Sequence, residues 1–139
     1  MPMGLILDSS VVIAAERRGD SVEKLLEQVV AVAGDQDAAL SSVGLTELVH
    51  GIYRAQTHGM RSRRKSFIDE LLRDLTVFPH TKRTAMLAGR IDGEQQAIGV
   101  TIPFGDLLIG ATALSLGFPV LTVNLRHYRL IPGLNVLTL

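Results

Sequence analysis

The chain has 139 residues, 47% of them hydrophobic, which fits one domain with a sizeable core and excludes a disordered chain. It contains no cysteine, which excludes a disulfide scaffold and every cysteine-based nucleophile or metal site. Lysine and arginine together number 14, as do aspartate and glutamate, so the formal net charge is zero. A protein that holds nucleic acid by bulk positive charge is more basic than this. The balance does not say where on the molecule the charges lie.

Strand-like and helix-like segments alternate along the sequence. In chain order the pattern predicts a strand at 4–8, helices at 9–18 and 21–33, a strand at 38–41, a helix capped by Ser42 that runs to about 57, a helix at 61–75, a strand at 76–78, a helix at 81–98, an apolar helix opening at Pro103, and strands at 119–123 and 135–137. Such alternation is typical of a mostly parallel sheet. We therefore predict a single α/β domain over 1–139, with helices on both faces of the sheet.

An uncharged stretch at 107–123 is the one segment that resembles a membrane span. It is shorter than the roughly 20 residues that a spanning helix needs, and Gly117 and Pro119 interrupt it. Residues 1–8 lack a basic leader, so no signal peptide is expected. These features and the absence of cysteine predict a cytoplasmic protein without a membrane anchor.

Polar side chains follow several of the predicted strands. Asp8 ends the first strand, Glu47 lies early in the helix after the second, Asp106 is near the start of the apolar helix, and Asn124 follows the fourth strand. The carboxyl ends of parallel strands share one edge of a sheet, where functional groups gather. Each residue also has a simpler interpretation as a helix cap, a first-turn acid or a turn residue.

Carboxylates placed together at the edge of an apolar core repel one another and lose hydration. A bound divalent cation offsets both costs. Because these candidate ligands carry only oxygen donors, they favour Mg²⁺ or Mn²⁺, and such ions support the hydrolysis of phosphodiesters. We therefore expect a metal-dependent phosphodiesterase.

Five ordered motifs resemble those of PIN domains, in the version found in VapC-type toxins of bacterial toxin–antitoxin pairs. They are LILDSS at 5–10, TELVHG at 46–51, IPFGDLLIGATA at 102–113, TVNLRHY at 122–128 and IPGLNV at 131–136. Each motif is short, but the ordered set spans nearly the whole chain.

The resemblance implies an endoribonuclease that uses Mg²⁺ or Mn²⁺. It identifies Asp8, Asp106 and Glu47 as metal-binding acids and adds Asn124 to the catalytic set. His127 stands where many members carry a fourth acid. The resemblance also implies a supporting role for Ser10 and Thr122, a homodimer, and a cognate VapB-like antitoxin that blocks the site.

Other features leave alternatives open. His127 also fits a surface or turn residue, as do His58 and His80. A basic cluster, Arg61, Arg63, Arg64 and Lys65, fits a solvated helix face or an RNA phosphate contact, and Arg126 and Arg129 lie nearer the acids. The helices between 43 and 75 carry more apolar surface than one sheet face needs, which allows self-association. Two functional alternatives are a catalytically inactive PIN-like binding scaffold and a receiver-like phosphoacceptor domain.

Overall fold

The computed structural model describes residues 4–139; residues 1–3 of the predicted domain lie outside that range. The elements in chain order are β1 (Gly4–Leu7), α1 (Ser9–Arg18), α2 (Val22–Ala33), β2 (Asp37–Ser41), α3 (Ser42–Arg54), α4 (His58–Asp74), β3 (Thr76–Phe78), α5 (Lys82–Ala97), α6 (Phe104–Leu116), β4 (Val120–Thr122), α7 (Leu125–Tyr128) and β5 (Val136–Thr138). The alternation of strands and helices is as predicted.

Local capping explains where the observed bounds differ from the predicted ones. The cap of α3 is Ser41 rather than Ser42, because the Ser41 hydroxyl accepts the Gly44 N–H at 2.9 Å. Helix α4 begins at His58, three residues before the predicted start, since the Thr57 hydroxyl caps it. The short helix α7 was not predicted.

The five strands form one parallel sheet with the order β3-β2-β1-β4-β5, as the alternating pattern predicted. Strand β1 is central: Ile6 pairs with Ala39 of β2 on one side and with Val120 of β4 on the other. The chain leaves β1 toward β2 and β3 and later returns to the opposite side for β4 and β5. The carboxyl end of β1 therefore lies at the switch point of the sheet, where open α/β folds bind their ligands.

Helices cover both faces of the sheet, and the alternation of side chains along β1 separates two cores. Leu5 and Leu7 pack with apolar residues of α1 to α4 on one face. Ile6 packs on the other face with residues of α5, α6 and Tyr128. The uncharged helix predicted after Pro103 is the buried helix α6. Within residues 4–139, no helix is both long enough and apolar enough to cross a membrane.

Candidate active site

Asp8 lies at the carboxyl end of β1 and is only 4% exposed. Its backbone has the extended conformation of a helix N-cap, but its side chain makes no capping bond to α1. The carboxylate is held instead by other side chains: Oδ2 accepts the hydroxyls of Ser10 at 2.5 Å and Thr122 at 2.9 Å, and Oδ1 accepts the Tyr128 hydroxyl at 2.7 Å. The interpretation of Asp8 as a simple cap is therefore wrong.

Asp106, in the first turn of α6, faces the same tyrosine. The Tyr128 hydroxyl lies 3.4 Å from Asp106 Oδ1 and 2.7 Å from Asp8 Oδ1, so one phenol lies between the two carboxylates. Burial, together with the negative charges of Asp8 and Asp106, raises the pKa of Tyr128. The hydroxyl therefore keeps its proton and remains a hydrogen-bond donor to the acids.

Glu47 of α3 is half-buried beside these two acids. Ser9 donates to Glu47 Oε1 at 2.8 Å, which joins Glu47 to the residue that follows Asp8. The other oxygen, Oε2, lies against Gly105, where a Cβ atom would approach it to 2.8 Å. Burial and the negative charges of Asp8 and Asp106 raise the pKa of the Glu47 carboxyl, against the lowering effect of the Ser9 hydrogen bond. Glu47 is therefore part of the acidic group rather than a freely solvated residue.

Asn124 and His127 extend the group toward solvent. His127 Nδ1 lies 2.7 Å from Asp106 Oδ2 and 3.1 Å from Asn124 Nδ2. A protonated Nδ1 donates its only proton to the Asp106 carboxylate, so the Asn124 amide nitrogen contacts the ring beside that hydrogen bond. Asn124 thus reaches the acids through His127. The interpretation of His127 as a mere surface or turn residue is wrong, because its ring packs against Asp106.

The raised pKa of Glu47 makes stability depend on pH. The folded protein binds this proton more tightly than the unfolded chain, so the free energy of unfolding falls as pH rises from about 4.5, the ordinary value, through the raised pKa. Without divalent metal, Glu47→Gln is therefore expected to be more stable than the parent above that interval, and equally stable below it. Urea unfolding in EDTA across this pH range measures the difference.

Glu94→Gln is the matched control, because the Glu94 side chain is 68% exposed and pairs with Arg90 on the surface of α5. This variant should follow the parent at every pH. A Glu47→Gln variant that also follows the parent would contradict the raised pKa of Glu47, which burial and the charges of Asp8 and Asp106 cause.

The predicted basic cluster on α4 is largely occupied by contacts within the domain. Arg64 donates to the Gly51 carbonyl oxygen at 2.7 Å, and Arg61 donates to that of Ala55 at 3.2 Å. Lys65 pairs with Asp69 one turn further along α4 at 2.8 Å. Arg61 and Arg64 thus satisfy carbonyl groups at the end of α3, which favours a structural role over an RNA phosphate contact.

Oxygen-rich side chains meet at this edge of the sheet, and their chemistry suits a hard divalent cation. Asp8, Glu47 and Asp106 bring carboxylates into a partly desolvated region, where burial first and the charges of Asp8 and Asp106 second raise the pKa of Glu47. Among residues 4–139, however, no group of three or more His, Asp or Glu side chains is arranged so that it could hold a metal ion. The donors fit the cation in type but are not gathered into a ready three-residue cage. Metal binding by the three acids stays a prediction.

Comparisons with known proteins agree with this architecture. The family model for the PIN domain matches residues 5–131. A ribonuclease VapC of Rickettsia bellii is 34% identical over 136 residues, which cover 98% of this chain and 96% of the relative. A tRNA(fMet)-specific endonuclease VapC of Salmonella typhimurium is 29% identical over 97 residues, covering 70% of this chain and 71% of the relative.

Solved structures show the same fold. A chain in the crystal structure of VapBC2 from Rickettsia felis, bound to a DNA fragment from its promoter, superposes with a TM-score of 0.85 at 21% sequence identity, and 99% of each chain is covered. The matches to the PIN family model and to the full-length relative show that the receiver-like alternative is wrong. This chain belongs to the PIN domain family, in its VapC-type branch.

Proposed function

We propose that this protein is a metal-dependent endoribonuclease that acts as the toxin of a toxin–antitoxin pair. One observation carries the proposal: Asp8 and Asp106, from different elements, meet at one buried phenol at the switch point of the sheet. A structural role would not need two carboxylates to approach each other there, since like charges repel in a desolvated site. The name of the Rickettsia bellii relative, a ribonuclease VapC, supports the same activity.

Asp8 and Asp106 would hold a Mg²⁺ or Mn²⁺ ion, with Glu47 as a third acid. When bound, such an ion polarises a phosphate oxygen and lowers the pKa of a water molecule. Few carboxylates are required, because Mg²⁺ usually keeps several waters and completes its shell with substrate phosphate.

The side chains around the acids have separate tasks in this proposal. Ser10 and Thr122 fix the orientation of the Asp8 carboxylate. Ser9 fixes Glu47, which orients the attacking water or aids in holding a cation. Asn124 supports His127, which holds Asp106 Oδ2. Substrate would approach from the side of α7, where Arg126 and Arg129 are exposed and can contact phosphates.

The partners follow from the same proposal. A VapB-like antitoxin would cover the site, in agreement with the VapBC complex that shares the fold. Two copies of the chain would form a homodimer in the cytoplasm. The exposed apolar side chain of Val49 on α3 offers area for such contacts.

Induction in a host cell tests the proposed function. Expression of the protein alone is expected to arrest growth and to produce new RNA ends, because an unrestrained endoribonuclease cuts cellular RNA. Co-expression of the cognate VapB-like antitoxin should restore growth. Transfer RNA for initiator methionine is the first RNA to examine, given the name of the Salmonella relative. Continued growth with unchanged RNA ends would contradict the toxin assignment.

A catalytically inactive binding scaffold remains the second candidate, because one observation favours it. His127 Nδ1 lies 2.7 Å from Asp106 Oδ2 and so competes with a cation for that oxygen. Titration with Mn²⁺ by calorimetry separates the two functions. The nuclease is expected to bind the ion and to cut RNA only in its presence, whereas a scaffold would do neither.

A further inference from the structure

The hydroxyl of Tyr128 is placed between two acids that come from opposite parts of the fold. It lies 2.7 Å from Asp8 Oδ1, at the end of β1, and 3.4 Å from Asp106 Oδ1, at the start of α6. We propose that Tyr128 is a positioning residue, which holds these two carboxylates at the spacing that one divalent cation requires. This inference rests on the proposed function and adds a residue to its site.

The tyrosine ring is held firmly, so the position of its hydroxyl is well defined. Tyr128 is fully buried at 0% exposure and packs in the core beneath α6. Gly110 of α6 lies beside the ring, and a Cβ atom there would meet Tyr128 Cδ1 at 3.5 Å, an ordinary contact distance. A ring fixed by packing presents its hydroxyl with little loss of conformational freedom when a ligand binds.

The other hydrogen bonds of the acids are divided between separate donors. Of the two carboxylates, Ser10 and Thr122 donate to Asp8 alone, and His127 contacts Asp106 alone. Within residues 4–139, Tyr128 is the side chain that hydrogen-bonds to both carboxylates. Its single proton is shared unequally: it is donated mainly to Asp8 Oδ1 at 2.7 Å and more weakly to Asp106 Oδ1 at 3.4 Å. The phenol therefore connects the two carboxylates.

A shared donor matters because the two acids otherwise repel each other. With the hydroxyl removed, Asp8 keeps its bonds to Ser10 and Thr122, and Asp106 keeps its contact with His127, but no other side chain of the described range 4–139 bonds to both acids. The carboxylates can then move apart. A cation must bring them together when it binds, and this rearrangement weakens its observed affinity. Outer partners of metal ligands typically contribute 10–100-fold to metal affinity.

Tyr128→Phe tests the inference, since it deletes the hydroxyl and keeps the ring. The variant is expected to bind Mn²⁺ about 10–100-fold more weakly than the parent, as measured by calorimetry. RNA cleavage should fall at low Mn²⁺ and recover as Mn²⁺ is raised. Tyr53→Phe is the matched control: the other tyrosine of the chain is 72% exposed on α3, and this variant should match the parent in both measurements.

Thr122→Val distinguishes a connecting donor from any donor to Asp8. Thr122 donates to Asp8 Oδ2 and accepts the Asn124 backbone N–H, but does not contact Asp106. We expect Thr122→Val to weaken Mn²⁺ binding less than Tyr128→Phe does. Thermal unfolding followed by circular dichroism checks that the two variants are equally stable.

Three results would overturn the inference. One is an unchanged Mn²⁺ affinity in Tyr128→Phe, with any loss confined to thermal stability, which would mean a structural role alone. Another is an equal loss of affinity in Thr122→Val, which would mean that only the number of donors to Asp8 matters. A parent that binds no Mn²⁺ and cuts no RNA would overturn the proposed function and this inference together.

Discussion

Asp106→Asn is expected to reduce RNA cleavage by at least about a hundredfold while the fold is retained. Loss of a residue that only supports a metal ligand already lowers activity by about 10–100-fold, and loss of the ligand itself should cost more. The substitution keeps the size of the side chain and its place in the first turn of α6. It removes the negative charge that faces the Tyr128 hydroxyl and His127. An amide is a much weaker ligand for a hard divalent cation than a carboxylate. Cleavage of a labelled RNA in Mn²⁺ measures the loss.

Glu94→Gln is the control for this experiment, because it makes the same acid-to-amide change at an exposed position on α5. Its cleavage rate should equal that of the parent. Circular dichroism of both variants checks the fold. If Asp106→Asn, purified free of host nucleases, cut RNA as fast as the parent, Asp106 would have no part in catalysis.

Leu121→Ala is expected to lower the free energy of unfolding by about 2–5 kcal/mol, the range for a leucine truncated in a packed core. Leu121 is fully buried in β4 and pairs with Leu7 of β1. Its carbonyl oxygen also accepts the Asp8 N–H at 2.9 Å, so the same residue fixes the backbone of the buried acid. Whole domains are stable by only about 5–15 kcal/mol, so this loss is large. Urea unfolding measures it.

The same truncation at an exposed leucine provides the comparison. Leu139 lies at the surface after β5, so Leu139→Ala should change the free energy of unfolding by less than about 0.5 kcal/mol. Equal effects of the two variants would show that β4 is not part of the cooperative core.

The sequence predicted the sheet well because its strands are continuous apolar runs with polar residues at their ends. Strand 4–8 could be recognised without its neighbours, and the rule for parallel sheets then placed Asp8 at the functional edge. The helix caps were harder to predict. Ser41 and Ser42 are adjacent and chemically alike, so only the length of β2 decides which of them caps α3.

The side chains that surround the acids depend on tertiary packing. Tyr128 lies in α7, a helix of four residues that is too short to show a hydrophobic period. Its partner Asp8 is 120 residues away in the sequence. One feature of the sequence could have indicated them. His127 and Tyr128 come three and four residues after Asn124, so their polar groups could have been expected at the carboxyl edge of the sheet, beside the acids. Whether Asn124 acts in catalysis stays a prediction.

The central position of β1 has a consequence for how the protein is made. Asp8 is synthesised 114 residues before Thr122 and 120 residues before Tyr128, the two residues that donate to its carboxylate from across the fold. Until β4 emerges, one edge of β1 has no partner strand, and contacts between such distant parts of a chain form slowly. A nascent chain in which α6 has been made but β4 has not therefore carries all three acids, while Asp8 still lacks the donors Thr122 and Tyr128. Because translation runs from the amino end to the carboxyl end, the site can be completed only after Tyr128 has been synthesised.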